Sequence, residues 1–421
     1  MSLSTVDCFV GLDVGRESME ALWIDKEGEQ INSMGFSNNH EGYEEFIEKL
    51  AEFNQRGFSP VVGVEGHSGE VSPLDEYLTH EGIPLVSIQP ARVNSHKDVL
   101  GQPKKTDHYD AYVIADFLWS RRHQLNQMPK FKKHVQKVKK LSRTNQDLQK
   151  EENRYVNRLR QTVTEYFPEF LQEDWFSKLT GTTCLAFLAN YPSLEKLKQV
   201  EVVELSKFLK EKSQGHYGKE LAVAIIEKVN SLDRSLEDDK AYALRVKSMA
   251  KLLLTIKKRR KEVKKAIREA LKGWKDAEIL KSLPGAGNIL TAQLLGEIGS
   301  IDRFESSDAL ALYCGVAPIP HSSGTWQTDK NTKRVNRVAK DALMQLAQCS
   351  RRYNPISDQY YQKKRDEGKS HWHALKCLAR NLIRVIYAML RDRTYYQPHH
   401  GGEKEGERSQ SREEQSAMVT V

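Results

Sequence analysis

Long apolar runs are missing from this chain. Nothing in its 421 residues approaches the roughly 20 apolar positions of a membrane span. The opening MSLSTVDCFVGLDVG lacks the basic start and extended apolar block of a secretory signal, so no membrane partner is expected. Cysteine is scarce as well: Cys8, Cys184, Cys314, Cys349 and Cys377 are odd in number, scattered and without a close pair. That argues against a disulfide framework and a zinc site, and fits reduced thiols in a cytoplasmic protein. A Ser-His-Asp arrangement is also missing, because His321 stands too close in sequence to Ser322 and Ser323 to be read as a triad base.

Basic residues, by contrast, are in excess. The formal charge is +8 and charged residues make up 29% of the chain, with a pI near 9.0. A large protein with that balance is a candidate for nucleic-acid binding, decided by where the charges cluster. The length calls for two or three domains.

Residues 1–125 alternate strand-like and helix-like segments. DCFVGLDVG, SMEALWID and EQINSMGFS read as three strands, then HEGYEEFIEKLAEF as a helix. PVVGVEG (strand), PLDEYLTHEG (helix), IPLVSIQP (strand) and the helix after KKTD follow. That order suits a ribonuclease-H-like α/β fold, although other α/β folds share much of it. Residues 126–275 show no convincing strand. Val138, Leu141, Leu148, Tyr155 and Leu159 recur at roughly heptad spacing, as do Ile256, Val263, Ile267 and Leu271. Two long basic helices bracketing a helical insert, a coiled-coil arm, are expected. Their lysine-rich faces are either solvated surface or a track for phosphates. Residues 276–392 read as a mostly helical third domain, and 393–421 as a polar, Gly-rich disordered tail.

The acidic residues carry the chemistry. Asp107 and Asp110 open a helix that continues through Val113, Ile114, Phe117 and Leu118. One reading is bland: Thr106 or Asp107 caps the helix and Asp110 complements its dipole. The other is catalytic, since residues three apart share a helix face and suit a pair of divalent ions. Asp13 lies inside an apolar strand and Glu65 at the end of another. In a ribonuclease-H-like order those strands are neighbours and the last helix crosses them. Four carboxylates gathered there repel one another unless cations neutralise them, and all-oxygen ligands favour Mg²⁺ or Mn²⁺. Context therefore favours the catalytic reading.

Further along, LPGAGNILTAQLLGEIG has the shape of a helix-hairpin-helix element. After it, a Pro-bounded loop carries Ser322, Ser323 and Gly324 ahead of a basic helix with Lys333, Arg334 and Arg337. Taken alone, a serine beside a glycine is most simply a turn residue.

GLDVG, GVEGHSGEVSPL, KTDHYDAYVIADFL, LPGAGNILTAQLLGEIGSIDRF, ALALYCGVAP, SSG and NTKRVNRVAKDAL together resemble, in this order, the DEDD transposases of the insertion-sequence one-ten family, bridge-RNA-guided recombinases. The resemblance runs to about residue 392. It implies a RuvC-like N-terminal domain, a coiled-coil arm and a C-terminal transposase domain. It further implies Asp13, Glu65, Asp107 and Asp110 as the metal-binding catalytic quartet and Ser323 as nucleophile. Two departures stand out: Val335 where the family usually has glycine, and HSG after Gly66 in place of a commoner Ala-Thr-Gly.

The activity this implies is site-specific recombination of an insertion sequence: double-stranded target and donor DNA are cleaved and rejoined under a structured non-coding bridge RNA. The expected setting is the prokaryotic cytoplasm, in association with the nucleoid, and the expected assembly a homo-oligomer, dimer or tetramer. Expected nucleic-acid contacts are Lys104, Lys105, Lys132, Lys133, Lys137, Lys139, Lys140, Lys333, Arg334 and Arg337. A RuvC-type junction nuclease, in which the same acids activate water, is the competing enzyme. A non-catalytic nucleic-acid-binding protein is the competitor outside enzymology, disfavoured by Asp13 in its apolar strand.

Overall fold

A computed structural model describes residues 6–66, 71–101, 106–124, 132–232, 239–323, 326–331 and 335–398, with only the backbone described over 318–331. The chain forms two compact units, residues 1–130 and 131–421.

The first unit is built on strands β1 (Cys8–Val14), β2 (Ser18–Asp25), β3 (Gln30–Ser37), β4 (Pro60–Glu65) and β5 (Leu85–Ile88). Its sheet has the order β3-β2-β1-β4-β5. The first three strands form an antiparallel meander, while β4 runs parallel to β1 and β5 parallel to β4. Helices α1 (His40–Gln55), α2 (Ser72–His80), α3 (Pro90–Leu100) and α4 (Asp107–Arg121) complete it. This mixed α/β architecture is compatible with the ribonuclease-H-like order expected.

Both faces of β1 are covered, which is why it reads as a continuous apolar run. Cys8, Val10 and Leu12 join Trp23, Phe46, Leu50 and Phe53 in one core, where Trp23 stacks on Phe53 at 5.8 Å between ring centres. Phe9 faces the other way, into a core with Val61, Val113, Phe117 and Leu118. Strand alternation then puts Gly11 and Asp13 on that second face, under α4. Gly11 is what allows the close approach: a side chain there would meet the Ala111 carbonyl oxygen at 2.1 Å and the Ala115 nitrogen at 2.4 Å.

One helix was not foreseen. The sequence places the Asp107 helix directly after the strand at 85–88, but α3 intervenes. Pro90 starts it at a position where the missing N–H is harmless, and only Val93 is buried, so no apolar period announces it.

The second unit is organised by two long helices, α5 (Lys133–Tyr166) and α11 (Asp239–Ala270). They run antiparallel: Tyr166 stacks on Tyr242 at 5.2 Å, while Glu152, further back in α5, pairs with Arg260, further on in α11. Helices α6 (Glu169–Gln172), α7 (Thr182–Asn190), α8 (Leu194–Gln199), α9 (Val202–Lys212) and α10 (Lys219–Ser231) form the insert. They bury Phe170, Phe187 and Leu205 against Leu159, Val163 and Leu253 of the long pair.

Helices α12 (Lys275–Lys281), α13 (Asn288–Ile298), α14 (Ser307–Tyr313), α15 (Arg337–Tyr353), α16 (Pro355–Asp366) and α17 (His371–Arg391) surround a separate core. Val138 of α5 and Ile267 of α11 belong to that core. The boundary expected at 275/276 therefore does not divide compact units, because both long helices end inside the C-terminal core. Residues just past 392, read as tail, are also anchored: the Tyr396 amide donates to Ser282 Oγ at 2.8 Å, and Asn354 Nδ2 to the Tyr396 hydroxyl at 2.8 Å. Residues 399–421 lie outside the described residues. The segment read as a Pro-bounded loop is a hairpin, β6 (Pro318–Ser323) paired antiparallel with β7 (Trp326–Asn331).

Candidate active site

The start of α4 settles the capping question. Thr106 is the N-cap, its hydroxyl accepting from the Tyr109 amide at 3.2 Å, so Asp107 is the first helical residue and Asp110 the fourth. Neither aspartate is needed as a cap. Asp107 is exposed and Asp110 half-buried.

The strands bring the other two acids to the same face. Leu12 is in register with Val64, so Asp13 and Glu65, each the next residue, lie side by side at the C-terminal ends of parallel neighbours. Both point to the α4 side by strand alternation. Because Ala111 sits over Gly11, the turn of α4 that precedes it lies towards Asp13. Burial, and then the charges of Asp110 and Asp107, push the Asp13 carboxyl up to about 6, against the Val14 amide that lowers it; Glu65 adds a further upward push. Glu65 is itself raised by burial and by Asp110, with Lys97 opposing. Asp13 thus feels the other three acids, and Glu65 feels Asp110.

The residues fit a hard divalent cation in kind: oxygen donors only, and more negative charge than the neighbouring groups neutralise. Among the described residues, however, no three His, Cys, Asp or Glu side chains converge closely enough to hold one metal ion. Lys97 contributes the positive charge present: its ammonium contacts the Asp110 carboxylate, both side chains about a quarter exposed.

Lys97 was missed in the sequence because its helix was. Two more neighbours were missed with it. Glu20, opposite Asp13 on β2, accepts from His108 Nδ1 of α4 at 3.2 Å. His96 Nε2 lies 2.6 Å from Asp116 and secures α3 to α4. Alternation in β2 marks Glu20 as a polar residue facing α4, a signal the strand SMEALWID did carry.

The basic residues divide. Lys132, Lys133, Lys137 and Lys140 are exposed at the start of α5, and Arg337 is exposed at the start of α15. Lys139 is not on the open face: it lies 3.6 Å from Glu297, a carboxylate of zero exposure. Arg143 donates twice to the same Glu297 at 2.7 and 3.0 Å, and Asn336 Nδ2 once at 2.8 Å. Lys104, Lys105, Lys333 and Arg334 lie outside the described residues. Ser323 ends β6 in register with Trp326, a strand end where the sequence suggested a loop. Val335 packs against Gly315, whose missing side chain leaves the space Val335 occupies.

Comparison with known proteins follows the same outline. A family model described as a transposase matches residues 10–168, which contain all four acids. A second, the transposase IS116/IS110/IS902 family, matches residues 277–362, which contain Ser323. The 44.8 kDa protein of insertion element IS116 from Streptomyces clavuligerus is 28% identical over 393 residues, 93% of this chain and 96% of its own length. The 43.6 kDa protein of insertion element IS110 from Streptomyces coelicolor is 26% identical, with the same shares covered. A pilin gene-inverting protein of Moraxella bovis is 26% identical over 118 residues, 27% of this chain and 37% of that protein. DEDD transposases typically use a divalent metal, in keeping with the donor set here. Among the described residues no helix is long and apolar enough to cross a membrane. The chain belongs to the IS110 family of insertion-element transposases and is an enzyme that recombines DNA.

Proposed function

We propose that this transposase cleaves and rejoins DNA strands with Asp13, Glu65, Asp107 and Asp110 as metal ligands and Ser323 as nucleophile. The observation that supports the reading is that Asp13 and Glu65 end neighbouring strands on the face α4 covers, with Asp107 and Asp110 in the first turn of α4. Burial and the charges of Asp110, Asp107 and Glu65 raise the Asp13 carboxyl. The α/β unit is taken as ribonuclease-H-like and the long helix pair as a coiled-coil arm. When bound, Mg²⁺ or Mn²⁺ supplies Lewis-acid polarisation of the scissile phosphate. Ser323 Oγ attacks the phosphorus, its proton passes to a base or to water, and the leaving strand departs on its own oxygen. The phosphoserine link holds the bond energy for rejoining, which hydrolysis by water would lose. Substrates are double-stranded target and donor DNA, paired to a structured bridge RNA, with the enzyme acting as a homo-oligomer. Phosphate contacts fall to Lys132, Lys133, Lys137, Lys140 and Arg337, together with Lys104, Lys105, Lys333 and Arg334.

The test is a suicide DNA substrate run on a denaturing gel. Wild type should give a protein–DNA adduct, and Ser323→Ala should give none while still binding nucleic acid. An adduct that persists in Ser323→Ala and disappears in Ser322→Ala moves the role to the neighbour. Free nicked DNA without adduct from wild type overturns the serine step in favour of a metal-dependent junction nuclease.

A further inference from the structure

Besides the lysines at the start of α5, the second long helix, α11, carries a cation cluster of its own. A cleft of about 600 Å³ opens between α11 and the neighbouring Glu152 and Thr182, lined by six basic side chains and one acidic one. Glu152 accounts for two of the cations, Arg260 by direct contact and Lys257 at 3.4 Å. Lys258, Lys261, Lys264 and Arg268 have no carboxylate partner among the described residues. The nearby Glu269 is turned to Lys272 at 2.7 Å.

Spacing makes this a line. Residues 257, 261, 264 and 268 recur at four, three and four, so they fall on one stripe of a straight helix. The stripe rises roughly 16 Å from first to last at the usual advance per residue, enough to span several phosphates of one strand. A merely solvated face would alternate sign along such a stripe. Here burial lowers the Lys264 pKa and Arg260 and Lys257 lower it further, with only Glu152 opposing. The cluster repels itself, and a polyanion would relieve that repulsion.

We infer that the α11 stripe of Lys257, Lys261, Lys264 and Arg268, with Lys258 beside it, is a docking track for the phosphodiester backbone of duplex DNA. Recognition there is by charge, since six of the nine lining side chains are cationic. The inference rests on the family's action on DNA and not on the serine or quartet chemistry.

Fluorescence anisotropy with the full chain, using labelled duplex DNA in one arm and duplex RNA in the other, tests it across about 50 to 200 mM salt. The triple variant K261Q/K264Q/R268Q should weaken binding at least tenfold in the DNA arm and reduce the slope of log affinity against log salt there by about 2 to 3. A loss confined to the RNA arm overturns the assignment to DNA. K261R/K264R/R268K keeps the charges and should bind as wild type does. If the triple variant melts early, the singles K261Q and K264Q should each reduce the slope by about 1. An unchanged slope in the DNA arm, or equal loss in the charge-keeping variant, overturns the track. Failure of the track shows as an unchanged salt slope and failure of the strand-transfer chemistry as a missing protein–DNA adduct, so the two give different results.

Discussion

Asp13 and Glu297 are both carboxylates drawn into the protein, one in each unit, and their surroundings treat them oppositely. Glu297 is fully buried, yet hydrogen bonds from Arg143 and Asn336 and the charge of Lys139 outweigh its burial and hold its pKa below the usual range. Asp13 is less buried, yet burial raises it first and the charges of Asp110, Asp107 and Glu65 push it further up. A paired carboxylate ties elements together; a group of carboxylates with few donors pushes its own members towards protonation. Glu297 joins α5, α13 and Asn336, the cap of α15. The acids around Asp13 gain no such set of donors, and Lys97 is the one cation in direct contact with the quartet among the described residues. The same residue type is therefore held by donors in one place and set among its like in the other.

The largest expected difference is in activity. Asp107→Asn, Asp110→Asn or Glu65→Gln should each reduce strand exchange by at least about a hundredfold, as loss of a group that stabilises transition-state charge does. Asp107→Asn and Glu65→Gln should leave folding stability equal or higher, because like charge is being removed, whereas Asp110→Asn also loses its contact with Lys97. Recombination assays paired with urea unfolding check both halves. Near-native recombination by these variants in Mg²⁺ would remove the contrast at its acidic end.

Next in size is a loss of stability at the other end. Glu297→Ala strands Arg143 and Lys139 beside an apolar cavity and removes a hydrogen bond from Asn336. Breaking a buried pair by deleting one partner costs about 3 kcal/mol at the lower end of the usual range, and Arg143, half exposed, can partly return to water. Urea midpoints should show the loss. Glu297→Gln should recover part of it, because an amide oxygen still accepts from Arg143 and Asn336.

The two ends of this contrast were unequally legible in the sequence. Asp13 stood out because a charge inside an apolar strand is anomalous, and Glu65 because it closes a strand. Asp107 and Asp110 stood out because aspartate is costly in a helix unless it caps or binds. Strand order followed from the alternation of segments. Glu297 was invisible: a glutamate in GEIGS looks like any surface acid, and its partners lie 154 and 39 positions away. Lys97 was hidden by a helix with a single buried residue. The hairpin around Ser323 was hidden by prolines, which normally exclude central strands but are tolerated in a two-stranded ribbon whose outer edges are free. Long-range pairing of polar groups leaves no local period, so only the fold reveals it.

The smallest expected effect sharpens the contrast most, because its sign is unusual. The Asp13 carboxyl stands at about 6 in the folded chain, against an ordinary 3.8. The folded state then holds that proton longer than the unfolded state does. The stability this represents is fully present below about 4 and is lost as pH rises through about 6. Asp13→Asn carries no such titration, so in chelator at pH about 7 it should be more stable than wild type by about 1 kcal/mol, after discounting for solvent screening of a half-buried group. Below pH about 4 the advantage should vanish. Divalent metal should then reverse the order at neutral pH: a cation that binds only the folded wild type stabilises it by mass action, while the variant, lacking one ligand, gains less. Thermal melts of both proteins, with chelator and with Mg²⁺ or Mn²⁺, read all four conditions. An Asp13→Asn protein that is less stable than wild type in chelator would mean that Asp13 has a partner like those of Glu297, and the contrast between the two carboxylates would fail.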